Sequence, residues 1–219
     1  NSEFGNLLLI PSYAKLVEFR TAVNAGPSGE YEGVSAMNGF AGKNIRITAN
    51  ITINANWVPI GTATCPFKGT FDGQGYTVSN LRHTSSSTPR GLFGYIENAE
   101  IRNLNVNTGT YTTKATTYGG GIVGNSVNST IEDCSFNGQI TSTSTWIGGI
   151  VGKMVSTTVR RCVTAGTITS SASNYVGGIC GHASYGESAS VIEDCASNMD
   201  IFGVSSVGGI AGYISNSTI

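Results

Sequence analysis

The feature that most constrains the fold is a phrase that the chain repeats. "GGIVGNSVNSTIEDCSFNGQI" begins at Gly120, "GGIVGKMVSTTVRRCVTAGTI" at Gly148 and "GGICGHASYGESASVIEDCASNMDI" at Gly177. Aligned on G-[LI]-x-G, the motif stands at Gly91, Gly121, Gly149, Gly178 and Gly209, so successive copies lie 30, 28, 29 and 31 residues apart. Self-similarity at such a period means one small unit stacked on copies of itself. Each unit holds three apolar pieces. The first is G-[LI]-x-G. The second is Ile101, Ile131, Val159 or Ile192, followed three residues on by Leu104, Cys134, Cys162 or Cys195. The third is Tyr111, Ile140, Ile168 or Ile201. Short β-branched pieces separated by Ser, Thr, Asn and Gly read as three strands per turn, with no room for a helix. The expected fold is all-β: a right-handed parallel β-helix, that is, a three-faced β-solenoid. Equivalent residues then sit about 4.8 Å apart on neighbouring rungs.

That spacing gives the aligned columns a physical meaning. Arg102, Glu132, Arg160 and Glu193 alternate in sign from rung to rung, so unlike charges adjoin at every step. This is a register device, since each exposed pair contributes only about 0–1 kcal/mol. The next column, Asn103, Asp133, Arg161 and Asp194, suits a turn. Cys134, Cys162 and Cys195 form a column of small apolar side chains, read as a buried ladder of free thiols because parallel Cβ vectors make a disulfide awkward. The first Gly of each motif is expected to let the chain turn into a strand and the second to let it turn out. A phosphate-cradling reading of these glycines needs a following helix, which the pattern does not contain.

Composition narrows the function. Only 11% of the 219 residues are charged and the formal net charge is −1, which gives neither the basic face of a nucleic-acid binder nor a polybasic membrane anchor. No apolar run approaches the roughly 20 residues of a membrane span. The five cysteines, at 65, 134, 162, 180 and 195, contain no C-x-x-C pair, and the histidines are His83 and His182, so neither a metal site, a cofactor nor a disulfide framework is indicated.

The N-terminal third differs. Ser12 after Pro11 is a good N-cap, and Leu16, Phe19, Ala22 and Val23 share a face, which predicts one helix over about 12–24. A solenoid needs its open end covered, so this helix is expected to be the cap. The organisation that follows is a cap over 1–44, lead-in rungs over 45–90 and repeats over 91–219. Ile219 aligns with Ile192, so the chain is expected to stop midway through a rung, and the open edge there predicts end-to-end self-association. Asp72 lies in "FDGQG", where D-G-x-G reads as a tight turn rather than as a catalytic acid.

The string "W-x-PIG…PFKGTFDGQGYTVSNL…GLFG", followed by "IRNL" and "GGIVG…IEDC…G", resembles the GLUG-motif repeat proteins, over roughly Ile45 to Ile219. The resemblance implies a secreted or surface-attached bacterial protein with a β-helical stalk or adhesive region. Such repeats also stand beside the catalytic part of IgA-specific metallopeptidases, but the H-E-x-x-H of those enzymes is absent from this sequence.

The expected function is therefore a non-enzymatic adhesin or structural module whose partner is a glycan or a surface protein. The candidate binding residues are Tyr118, Trp146 and Tyr175, three positions before the first Gly of successive motifs. Alternation turns Ile147 and Val176 inward and these aromatic rings outward, where they can stack on sugars or on a partner protein. The first alternative is a polysaccharide lyase or hydrolase, by analogy with other β-helices; Glu132/Asp133 and Glu193/Asp194 are its paired carboxylates, but arginines one rung away explain them as ion pairs. The second is ice binding along Thr112, Thr141 and Thr169, a column that Phe202 breaks.

Overall fold

The computed structural model describes residues 6–83, 89–108, 118–143, 145–171 and 175–219. Among these residues the chain winds through four parallel sheets in a fixed order. Sheet 1 has seven strands: Leu7–Ile10, Asn44–Ile47, Thr70–Asp72, Glu100–Arg102, Thr130–Glu132, Thr158–Arg160 and Val191–Glu193. Sheet 2 has six: Ile51–Thr52, Thr77–Ser79, Asn105–Asn107, Ser135–Ser142, Val163–Ser170 and Ala196–Phe202. Sheet 3 holds Tyr118–Gly120, Trp146–Gly148, Tyr175–Gly177 and Val207–Gly208. Sheet 4 holds Phe93–Glu97, Val123–Val127, Val151–Val155, Cys180–Ser184 and Ala211–Ser215. The result is a parallel β-solenoid.

The three apolar pieces of each repeat are the strands of sheets 4, 1 and 2. A fourth, short strand precedes each motif after the first and builds sheet 3, and G-[LI]-x-G makes the corner between it and sheet 4. Gly121 and Ile122 lie between the strands of sheets 3 and 4, and the corners stack directly: Gly121 N donates to Gly149 O at 3.0 Å, and Gly149 N to Gly178 O at 3.2 Å. The glycines stand at the turn, as expected, and the turn needs them for this close approach, without a left-handed backbone. A Cβ on Gly149 would lie 2.2 Å from the Gly178 carbonyl oxygen, and one on Gly152 would lie 2.6 Å from Gly119 N.

The other corners use different chemistry. Between sheets 1 and 2, Asn103, Asp133, Arg161 and Asp194 all take left-handed φ, at 51°, 53°, 50° and 53°. Asn and Asp tolerate that region; Arg161 occupies it because the column requires it. Between sheets 4 and 1, buried hydroxyls link the rungs: Thr157 N donates to Ser190 Oγ at 3.2 Å, and Ala99 N to Ser129 Oγ at 3.1 Å.

The core follows from the period-2 alternation of each strand. In sheet 1 the register stacks Leu8, Ile45, Phe71, Ile101, Ile131, Val159 and Ile192 into one buried inward column. Sheet 2 stacks Ile140, Ile168 and Ile201. Tyr111 and Thr112 lie outside the described residues.

The helix spans Tyr13–Ala25, with Ser12 as N-cap accepting from Lys15 N at 3.4 Å, and buries Leu16, Phe19, Ala22 and Val23. The ring of Phe19 packs against Tyr31, Phe40, Phe67 and Phe71, with centroids 5.2–6.2 Å apart. Segment 1–44 also contributes to the stack itself, since Leu7–Ile10 pairs in parallel with Asn44–Ile47. The antiparallel pair Glu30–Tyr31 and Val34–Ser35 completes the cap. No helix among the described residues is long and apolar enough to cross a membrane.

Candidate functional site

The charged column is longer than the repeat alignment indicates. Register places Arg46, Asp72, Arg102, Glu132, Arg160 and Glu193 on successive rungs, alternating in sign throughout. Arg102 Nε meets Asp72 at 3.2 Å, and Arg160 meets Glu132 at 2.6 Å. Arg161 bridges Glu132 at 2.9 Å and Asp133 at 2.7 Å. Asp72 also accepts from Gln74 N at 3.0 Å and Asn103 Nδ2 at 3.1 Å. Burial alone would raise the Asp72 carboxyl; these hydrogen bonds and the Arg102 charge outweigh it and hold it below the usual carboxylate range. Of the carboxylates that a hydrolase reading would recruit, Glu132 and Asp133 are thus held by arginines in the stack.

Cys134, Cys162 and Cys195 form the expected ladder, and all five cysteines are free thiols. Cys134 and Cys162 are fully buried, while Cys195 is half-buried. Contact with Cys134, with burial, pushes the Cys162 thiol up; contact with Cys162, with burial, does the same to Cys195. These thiols are poor nucleophiles.

The aromatic residues come together as a strip. Sheet 3 aligns Tyr118, Trp146 and Tyr175, with Ile147 and Val176 buried between them as expected. The neighbouring outward column, on sheet 4, is Tyr95, Asn125, Lys153, His182 and Tyr213. The two columns interleave. Tyr118 and Trp146 stack at 4.8 Å and 2°, and Trp146 meets His182 at 4.9 Å. His182 stacks on Tyr213 at 5.1 Å, and Tyr175 meets Tyr213 at 4.8 Å. Lys153 Nζ lies 5.6 Å from the Tyr118 centroid and 5.1 Å from that of Trp146. Parallel rings 4.8 Å apart cannot lie side by side without colliding, so their faces overlap. Tyr118, Trp146, Tyr175 and His182 are half-buried and Tyr213 is exposed; along the stack the ring faces cover one another. Burial, then the Lys153 charge, lowers the His182 pKa. Trp146 Nε1, His182 Nδ1 and Asn125 Oδ1 are shielded without a hydrogen-bond partner.

At its N-terminal end the strip opens into a cleft of about 420 Å³ lined by Val58, Pro59, Thr62, Pro89, Tyr95 and Tyr118. Asn24 holds the wall in place, donating to Pro59 O at 3.0 Å and accepting from Gly61 N at 2.7 Å. Beside it a buried arginine and a buried histidine lie together, neither of them singled out by the repeat. Arg90 is 1% exposed, in the inward column opposite Gly119, and its three guanidinium nitrogens meet no hydrogen-bond partner among the described residues. His83 Nδ1 is 3.0 Å from Trp57 O, and burial followed by the Arg90 charge lowers its pKa to about 4. An arginine in place of the apolar inward residue is the only sequence signal for this pair.

The GLUG motif matches this chain over residues 115–141 and 172–201. No curated protein matches it. Its fold is similar to that of a solved structure from Bacteroides ovatus named "putative immunoglobulin A1 protease", at 18% identity and a TM-score of 0.56, covering 96% of this chain and 73% of the other.

Proposed function

We propose that this chain is a non-enzymatic module of a secreted or cell-surface protein and that it binds a glycan through the strip on sheets 3 and 4. The observation that carries the reading is the continuity of that strip: eight outward positions on two adjacent columns hold six aromatic or imidazole rings, and five of them, Tyr118, Trp146, His182, Tyr175 and Tyr213, are linked by ring contacts. A stalk without a ligand has no need of aromatic rings at outward positions on rung after rung. The GLUG repeats and the likeness to a bacterial protein named for an action on an immunoglobulin support an extracellular setting.

The hydrolase alternative is weakened by the ion pairs at Glu132, Asp133 and Asp72. The ice-binding alternative is weakened by register, since Thr141 and Thr169 meet Phe202 on the next rung. The test is a glycan array with the wild type beside a Trp146→Ala, Tyr175→Ala double variant. Binding by the wild type alone is expected. Binding unchanged in the variant moves the site elsewhere, and no binding by either leaves the module a spacer.

A further inference from the structure

The geometry points to an acidic glycan chain, lying along the solenoid axis, as the ligand of this strip; the inference rests on the glycan reading above. Stacking of a neutral sugar needs an open ring face, and the strip does not present one on its central rings. Tyr118 and Trp146 overlap, Lys153 sits over both, and His182 covers the next step. What such rings turn outward is their edges. The edge of an aromatic ring carries the positive end of its quadrupole, and tyrosine adds a hydroxyl donor there. Lys153 places a full positive charge in the middle of this row, held by the two rings beneath it.

The distribution of acids points the same way. Among the described residues, the two outward columns of the strip contain no carboxylate. The acid at the end of the first sheet 4 strand, Glu97, is paired with Lys68 at 3.2 Å. The other acids of the repeats stand off these two columns: Glu100, Glu132, Asp133, Glu193 and Asp194 on sheet 1 and its turn, Asp200 on sheet 2, and Glu187 in the turn from sheet 4 to sheet 1. The strip is therefore a positive, donor-rich track on a chain of net charge −1. Its rungs repeat every 4.8 Å or so, a step comparable to that of one sugar ring in an extended chain. Polar atoms and a cation rising from a half-buried aromatic bed discriminate by charge more strongly than by shape.

The experiment uses the whole chain. The probes are oligogalacturonate and a sulfated glucan oligosaccharide, each beside its neutral counterpart, the methyl ester and the unsulfated glucan. Binding is read by calorimetry at two salt concentrations and by tryptophan fluorescence. Trp57 is 3% exposed in the lead-in rungs, so a ligand-induced change reports Trp146, and a Trp146→Phe variant checks the assignment. At least one acidic probe is expected to bind, with its neutral counterpart weaker by about tenfold and with affinity falling as salt rises. Lys153→Gln is expected to lose a similar factor and Lys153→Arg to retain binding; both should keep the wild-type circular dichroism spectrum, because Lys153 is outward-facing. Equal binding of an acid and its neutral partner overturns the acidic preference and leaves the glycan reading standing. Binding by none of the four, with a neutral glycan found on the array, also overturns it. Silence on the array as well removes both.

Discussion

The two ends of the stack are built from the same kind of rung and have opposite fates. At the N-terminal end the helix lies over the first turns, and Phe19, Phe67, Phe71 and Phe93 are fully buried in one aromatic cluster. At the C-terminal end the inward columns lose their cover. In sheet 3, Ile147 and Val176 are 0% exposed and Val207 is 46% exposed, although all three occupy the same inward position. At the corner, Ile150 and Ile179 are fully buried and Ile210 is half-buried. Phe202 and Ile219 stand 60% exposed. The difference teaches that a repeat of this stack does not bury its own apolar face; the neighbouring rung or the cap does so.

The comparison can be broken by substitutions at matched positions. Phe19→Ala should have the largest effect, roughly 3–5 kcal/mol, because it empties the centre of the cap cluster. Ile150→Ala should cost roughly 2–5 kcal/mol and Ile210→Ala about 1 kcal/mol, although the two residues belong to one column. Guanidinium midpoints measure all three, and equal losses at Ile150 and Ile210 would refute the dependence on neighbours.

Acid sharpens the contrast. His83 titrates near 4 in the fold and near 6.5 when unfolded, so the unfolded chain takes up its proton first as pH falls. Its contribution is fully present above about 6.5 and is lost between there and about 4, on the order of 3 kcal/mol in all. The Asp72 carboxyl is held low, so its contribution is present above the unfolded carboxylate pKa and is lost at lower pH still. The cap half should therefore melt first on acidification, and a His83→Asn variant should show a flatter stability profile between pH 6.5 and 4. An unchanged slope in that variant assigns the acid sensitivity to other groups. The smallest effect is expected at Ser12→Ala, about 0.5–1 kcal/mol, from loss of the helix cap. Hydrogen exchange should place that loss in Tyr13–Ala25 and leave the terminal rungs unaltered.

Most of the architecture is legible in the repeat because a stack turns sequence alignment into spatial adjacency. Ile131, Val159 and Ile192 align in the text and touch in the fold, and the Glu132–Arg160 pair follows from the same columns. The extension of the charged column to Arg46 and Asp72 was hidden, because those rungs lack the motif that sets the alignment. The sheet 3 strands escaped notice because three residues ending in glycine carry little strand signal. The ring faces of Tyr118 and Trp146 were illegible for a different reason. Alternation says which way a side chain leaves the backbone, but only packing on Lys153 and His182 decides how the ring then turns. Arg90 and His83 sit where the period calls for apolar residues, and nothing local in the sequence marks them as buried.

The thiol ladder gives this stack a graded clock. Cys195, Cys162 and Cys134 stand on successive rungs inward from the less covered end, with Cys195 the least buried. In a quasi-one-dimensional array, opening runs inward from an edge, and each rung must part before the one beneath it is bared. Their order of alkylation therefore follows how deeply the stack covers them, with Cys195 ahead of Cys162 and Cys134.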